Sequence, residues 1–240
     1  MKVAVGFFGI TRSLKYTIQS INQQIFDVLK RNNIEYDIYM HTYYLTDYKN
    51  VRTGEYTNNM KIDNEEYKLL NADYLEIDNQ SEIKIKLDLL SYRTQPDPWD
   101  TNYGSVDNFI LGQYSKLRLT KMIEPNQFKY DYILFMRPDC LYINELPIQH
   151  LNLINDKSII IPNFHLFGQY DFNDRFCITN KSTYKIYGEV FNLLLDISKN
   201  KCLHSETILG EIINNHKLNI IRIKFNFSRV RLDGRLADNF

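Results

Sequence analysis

The stretch YDYILFMRPDCLY, residues 130–142, carries a short apolar run, Tyr132 to Met136, straight into Arg137, Pro138 and Asp139. If the run is a strand, alternation sends Arg137 and Asp139 to one side and Pro138 to the other. Pro138 has no amide hydrogen for the ladder, so the strand ends there. A cation and a carboxylate at a strand end permit two kinds of ligand chemistry. The carboxylate can hold a divalent metal, and the arginine can fork onto phosphate. The two can also simply pair with each other, a common and weak surface arrangement.

Other residues could complete such a site. Gly6, Gly9, Thr11 and Arg12 sit where the first apolar run gives way to a helical pattern. Glycines let backbone approach a phosphate, and a helix N-terminus favours an anion. A tight turn capped by Ser13 is the plain alternative. Gln113 and Lys116 are spaced to share a helix face, from which Lys116 could reach a diphosphate. Asp174 could take a proton from an attacking hydroxyl, or it could cap a turn together with Asn173. Glu206 is a second candidate base, and its neighbour His204 is a candidate metal ligand. Arg229 and Arg231, beside Gly234, could close a C-terminal loop over phosphates or lie on an exposed tail. His41 reads as structural. Trp99 could stack on a ligand or anchor its loop.

The elements that must position these residues alternate. Val3 to Phe8 reads as a strand. Leu14, Ile18, Ile21, Ile25 and Leu29 form one face of a helix. Tyr36 to Met40 is a second strand, so the chain opens β-α-β with a parallel pair expected. Residues 43–72 read as an insertion or long loop, 72–78 as a third strand, and 93–105 as an irregular loop. A helix from Asn108 feeds the 132–136 strand. Strands follow at 158–163, 174–180 and 218–225, with helices at 184–195 and 205–214. The whole predicts an α/β protein, one domain over 1–240, with a mostly parallel sheet and helices on both faces. In such sheets ligands bind beyond the carboxyl ends of the strands. Arg12 and Asp139 are therefore expected at the same edge.

Lys plus Arg and Asp plus Glu both number 29 among 240 residues, so no net field favours nucleic acid. The three cysteines have no metal spacing and no disulfide pattern, which fits a reduced compartment. The N-terminal apolar run is too short for a membrane span and reads as a strand rather than a signal peptide. A cytoplasmic protein with no transmembrane segment is the expectation.

Taken in order, these pieces resemble a family of glycosyltransferases with the GT-A fold, in which RPD stands in place of DxD. "GFFGITRSL" is similar to the family's first strand and turn, and "YDIYMHTY" to its second strand. "NDRFCITNKSTYKIY", "HSETIL" and "RVRLDG" resemble later segments in the same order. Residues 43–105 carry little of the match. The resemblance implies sugar transfer from a nucleoside-diphosphate sugar to a hydroxyl on a glycan or other acceptor, with Mn²⁺ or Mg²⁺. Asp139 would be the metal ligand, with His204 a further candidate. Gly9, Thr11, Arg12, Gln113, Lys116, Arg137, Asp139, Arg229 and Arg231 would bind the donor, and Asp174 and Glu206 would be catalytic. Two alternatives stay open: a sugar-nucleotide nucleotidyltransferase, and a nucleotide-sugar or carbohydrate binder without catalysis.

Overall fold

A computed structural model describes residues 1–56 and 62–237. Strand β1 (Lys2–Phe8) leads into α1 (Leu14–Ile21), which continues through a π-helical Asn22–Phe26 into α2 (Asp27–Arg31). Strand β2 (Glu35–Tyr44) follows, then a small hairpin of β3 (Lys49–Asn50) and β4 (Glu55–Tyr56). Next come β5 (Tyr74–Asn79), α3 (Gln80–Lys86), the long helix α4 (Gly104–Ile123), β6 (Tyr132–Met136) and β7 (Cys140–Tyr142). The chain ends with β8 (Ser158–Pro162), β9 (Phe176–Thr179), α5 (Tyr184–Gly188), α6 (Phe191–Ser198), α7 (Ser205–Asn215), β10 (Asn219–Ile223) and β11 (Phe227–Arg229).

Seven strands make one sheet in the order β10-β8-β9-β6-β1-β2-β5. Every neighbouring pair is parallel except those of β9, which runs antiparallel to both β6 and β8. This is the mostly parallel α/β sheet expected from the sequence, with β1 and β6 paired at its centre. The central strands are apolar on both faces because both are covered. Val3, Val5, Phe7, Leu134, Met136 and Ile160 pack on the α1–α2 side. Ala4, Phe8, Ile133, Phe135, Ile159 and Ile161 pack on the side of α4 to α7. Gly6 is where α4 comes closest. A Cβ there would meet Leu119 Cδ2 at 2.7 Å and the Leu134 carbonyl at 3.1 Å, so a larger residue would have to push the Leu119 side chain aside.

The differences from expectation are local. Strand β2 extends four residues past Met40, because β5 pairs with it out to Tyr44. The 184–195 helix is two short helices, and α4 starts at Gly104 rather than Asn108. The tail holds the unforeseen β11, which pairs antiparallel with β7 just after Asp139. Within the 43–72 insertion, residues 57–61 lie outside the described residues. Among the described residues no helix is long and apolar enough to cross a membrane.

Candidate active site

The reversed direction of β9 has a consequence for chemistry. Its first residue lies at the same sheet edge as the last residues of β1, β2 and β6. Asp174 and Arg175, which enter β9, therefore meet Arg12 and Arg137, which leave β1 and β6. A cleft of about 330 Å³ opens at this edge. Its walls include Gly9, Arg12, Trp99, Arg137, Asp174 and Arg175. His204 and Glu206 from the start of α7, and Arg229 and Arg231 from the tail, complete it.

Asp139 lies at the back of this edge and is wholly buried. Arg137 donates to it twice, Nε to Oδ1 at 2.8 Å and Nη2 to Oδ2 at 2.7 Å. Arg12 Nη2 adds a third contact to Oδ2 at 3.4 Å. Burial works to raise the carboxyl pKa, but Arg137, and behind it Arg12 and Arg229, outweigh it and hold the group below the usual carboxylate range. The strand-end pair is thus a buried ion triad, not a surface one. Arg137 uses one edge of its guanidinium on Asp139 and lines the cleft with its side chain 27% exposed.

Arg12 is held on every side. Nη1 donates to the Tyr48 hydroxyl at 2.6 Å, the guanidinium lies 4.8 Å from that ring's centre, and Nε lies 3.2 Å from Glu55 Oε1. Glu55 is the hidden organiser of this corner. Besides its ion pair with Arg12, it accepts from Thr53 Oγ1 and from the Leu232 amide, and it lies 3.5 Å from Arg231. The tail is pinned further by Val230, whose amide donates to the Asp139 carbonyl while its own carbonyl accepts from Ser13 Oγ. Ser13 therefore ties the tail down and makes no side-chain cap to α1.

Acidic and aromatic side chains line the same cleft. Asn173 Oδ1 accepts from the Arg175 amide and closes the turn. That leaves the Asp174 carboxylate facing the cleft, 3.7 Å from Arg175 Nε. Glu206 is buried beside it. Its pKa is raised, first by burial and then by the Asp174 charge. His204 caps α7, its Nδ1 accepting from the Thr207 amide, and its ring stacks on Trp99 at 5.2 Å. Trp99 is carried by a loop built around one carboxylate. Asp97 accepts from the amides of Trp99, Thr101 and Tyr103 and from the Thr101 hydroxyl.

Four sequence expectations are corrected here. Lys116 does not reach the cleft. It is fully buried against the sheet, with Nζ 3.6 Å from the centre of the Tyr187 ring and no hydrogen-bond partner. Its neighbour Gln113 is likewise buried off the cleft, and Thr11 lies beneath the turn, where its carbonyl accepts from the Leu14 amide. Their helix and turn point these side chains into the core. The fourth correction concerns the metal. Both oxygens of Asp139 already face guanidinium groups, and the side chain has no exposure to a ligand. His204 has one ring nitrogen on the helix cap and the other 3.7 Å from Glu206. Among the described residues no group of three His, Cys, Asp or Glu could hold a metal ion. The residues proposed for Mn²⁺ or Mg²⁺ do not fit one. His41 is structural, as expected, between Ser115 Oγ at 2.8 Å and Asp78 at 3.1 Å.

The cleft also holds residues that the sequence did not single out. Arg52 and Arg175 line it, and Tyr48 and Glu55 position Arg12. Arg52, Tyr48 and Glu55 fall in the segment with no periodicity, so only the fold brings them to the edge.

No protein-family model and no curated protein matches the chain. Among solved structures, one neighbour is a glycosyltransferase involved in glycosylation of the major capsid of PBCV-1, with 9% identity and a TM-score of 0.44, covering 93% of this chain and 81% of that one. A second is the galactosyltransferase LgtC in complex with donor and acceptor sugar analogues, with 10% identity and a TM-score of 0.43, covering 92% and 73%. A third is a mutant Drosophila β1,4-galactosyltransferase 7 in complex with manganese, UDP-Gal and xylobiose, with 13% identity and a TM-score of 0.39, covering 96% and 71%. Likenesses this distant carry no argument about activity.

Proposed function

We propose that the cleft is the active site of a glycosyltransferase that takes a sugar from a nucleoside-diphosphate donor to an acceptor hydroxyl. One observation carries this reading: a single cleft is lined by six arginines, two carboxylates and a tryptophan. The arginines suit a diphosphate, whose charge grows as the bond to the sugar breaks. The carboxylates suit sugar hydroxyls and a proton acceptor. Trp99, already stacked on His204, offers an apolar face for a sugar ring.

In this reading the acceptor oxygen bonds to the anomeric carbon, and the bond from that carbon to the β-phosphate oxygen breaks. The nucleoside diphosphate leaves with the electron pair, and the acceptor's proton passes to a carboxylate. Glu206 is the better proton acceptor of the two candidates, because burial and Asp174 raise its pKa towards the working range of a base. Asp174, beside Arg175, then orients acceptor hydroxyls. Gly9, whose φ of +101° suits glycine, lets the first turn approach the donor.

The base assignment predicts a pH profile. A base must be ionised, so kcat/KM should rise with pH through a midpoint above the ordinary glutamate value. Glu206→Gln should abolish that acidic limb and lower the rate by ~10²–10⁴-fold. An unchanged limb in Glu206→Gln would move the role to Asp174. The donor reading is checked by thermal stabilisation with a panel of nucleoside-diphosphate sugars beside free sugars and mononucleosides. The diphosphate compounds should stabilise and the others should not. A nucleotidyltransferase would instead bind a nucleoside triphosphate and a sugar phosphate.

A further inference from the structure

We propose that the cleft recognises the diphosphate through arginines alone, with the Arg12–Asp139–Arg137 unit occupying the place where a carboxylate-bound metal would sit. This rests on the donor reading above and adds how the donor's charge is met. The first support is the state of Asp139. A carboxylate that coordinates a cation must turn at least one oxygen to it. Both Asp139 oxygens are instead turned to Arg137 and Arg12, and the side chain is sealed from the cleft. What reaches the cleft from this strand end is the outer part of the Arg137 guanidinium.

The second support is the balance of charge. Arg12, Arg52, Arg137, Arg175, Arg229 and Arg231 line the cleft against Asp174 and Glu206. Among the described residues the arginines lining the cleft outnumber these two carboxylates, and the buried Asp139 and Glu55 lie behind Arg137, Arg12 and Arg231. The whole chain has 29 of each sign, so this excess is local. Arg231 feels the crowding: burial, then Arg229 and Arg12, work against its charge, and Glu55 only partly offsets them. A multiply charged anion relieves such crowding. Because Glu55 holds Arg12 and the tail together, the cations are in place before the ligand arrives.

Calorimetry with uridine, guanosine and adenosine diphosphates tests this, each titrated in EDTA and again in Mn²⁺. The expected result is one nucleoside diphosphate that binds with affinities within about twofold in the two buffers. Arg137→Met and Arg231→Met should each weaken it by roughly tenfold or more, as loss of a charged hydrogen bond requires. Affinity should also fall as salt rises. Arg137→Met leaves Asp139 short of a partner, so if that variant does not fold, Arg231→Met decides. Binding that appears only when Mn²⁺ is added would overturn the metal-free proposal and leave the donor reading standing. Wild-type affinity in Arg231→Met, with an intact thermal transition, would also overturn it. Absence of binding in both buffers for all three diphosphates would overturn the donor reading and this proposal with it.

Discussion

Asp139→Asn is expected to lower folding stability by about 3–5 kcal/mol, the cost of leaving a buried ion pair without one partner. Two guanidinium groups, Arg137 and Arg12, would face a neutral amide in a site closed to water. This reverses the expectation from the strand end alone, where such a residue carries little packing and the change should spare the fold. The depressed carboxyl pKa gives the pH dependence. A group lowered in the folded state stabilises it above the ordinary carboxylate range, and that stability is lost as pH falls through the folded value. Urea unfolding of wild type and Asp139→Asn at neutral pH measures the effect. A variant as stable as wild type would mean that the two arginines do not depend on this carboxylate.

Lys116→Met is expected to do the opposite. The ammonium is buried without a hydrogen bond, and burial pushes its pKa down to about 7, against weaker support from Cys177 and Asp174. Its stacking over Tyr187 recovers part of the cost. A lysine lowered in the folded state binds its proton less tightly there than in the unfolded chain. Wild-type stability should therefore rise with pH between about 7 and the ordinary lysine value of 10.5. Methionine has similar volume and no charge. The variant should gain on the order of a few kcal/mol below pH 7, with the gain vanishing above the lysine range. Affinity for nucleoside diphosphate should not change, since the side chain is outside the cleft. Equal pH dependence in the two proteins would show that Lys116 keeps an ordinary charge. Weakened binding would return it to the donor site.

What the sequence made legible follows from what periodicity can carry. The seven-stranded sheet was readable because its central strands are apolar on both faces and separated by helical or turn signals. The edge at which Arg12 and Arg137 meet followed from strand direction. The depth of each residue did not. Gln113 and Lys116 share a helix face, as spacing said, but that face is the one turned to the sheet. Asp139 was placed at the correct edge, yet nothing local shows that β7 and β11 close over it with the Val230 amide on its carbonyl. Glu55 was invisible for a related reason. It sits in a two-residue strand of an aperiodic insertion, and its partners Arg12 and Arg231 are far away in the chain. Ion networks between distant segments leave no spacing to read.

The most direct test of the account is turnover. Wild type and Glu206→Gln, incubated in EDTA with each nucleoside-diphosphate sugar and a panel of saccharide acceptors, are assayed for free nucleoside diphosphate and for the new glycosidic product. The account predicts both products in equal amounts from wild type with at least one donor, and a loss of ~10²-fold or more in Glu206→Gln. A protein that binds a nucleotide sugar and releases nothing, with or without added Mn²⁺, would contradict it and leave a binding protein in its place.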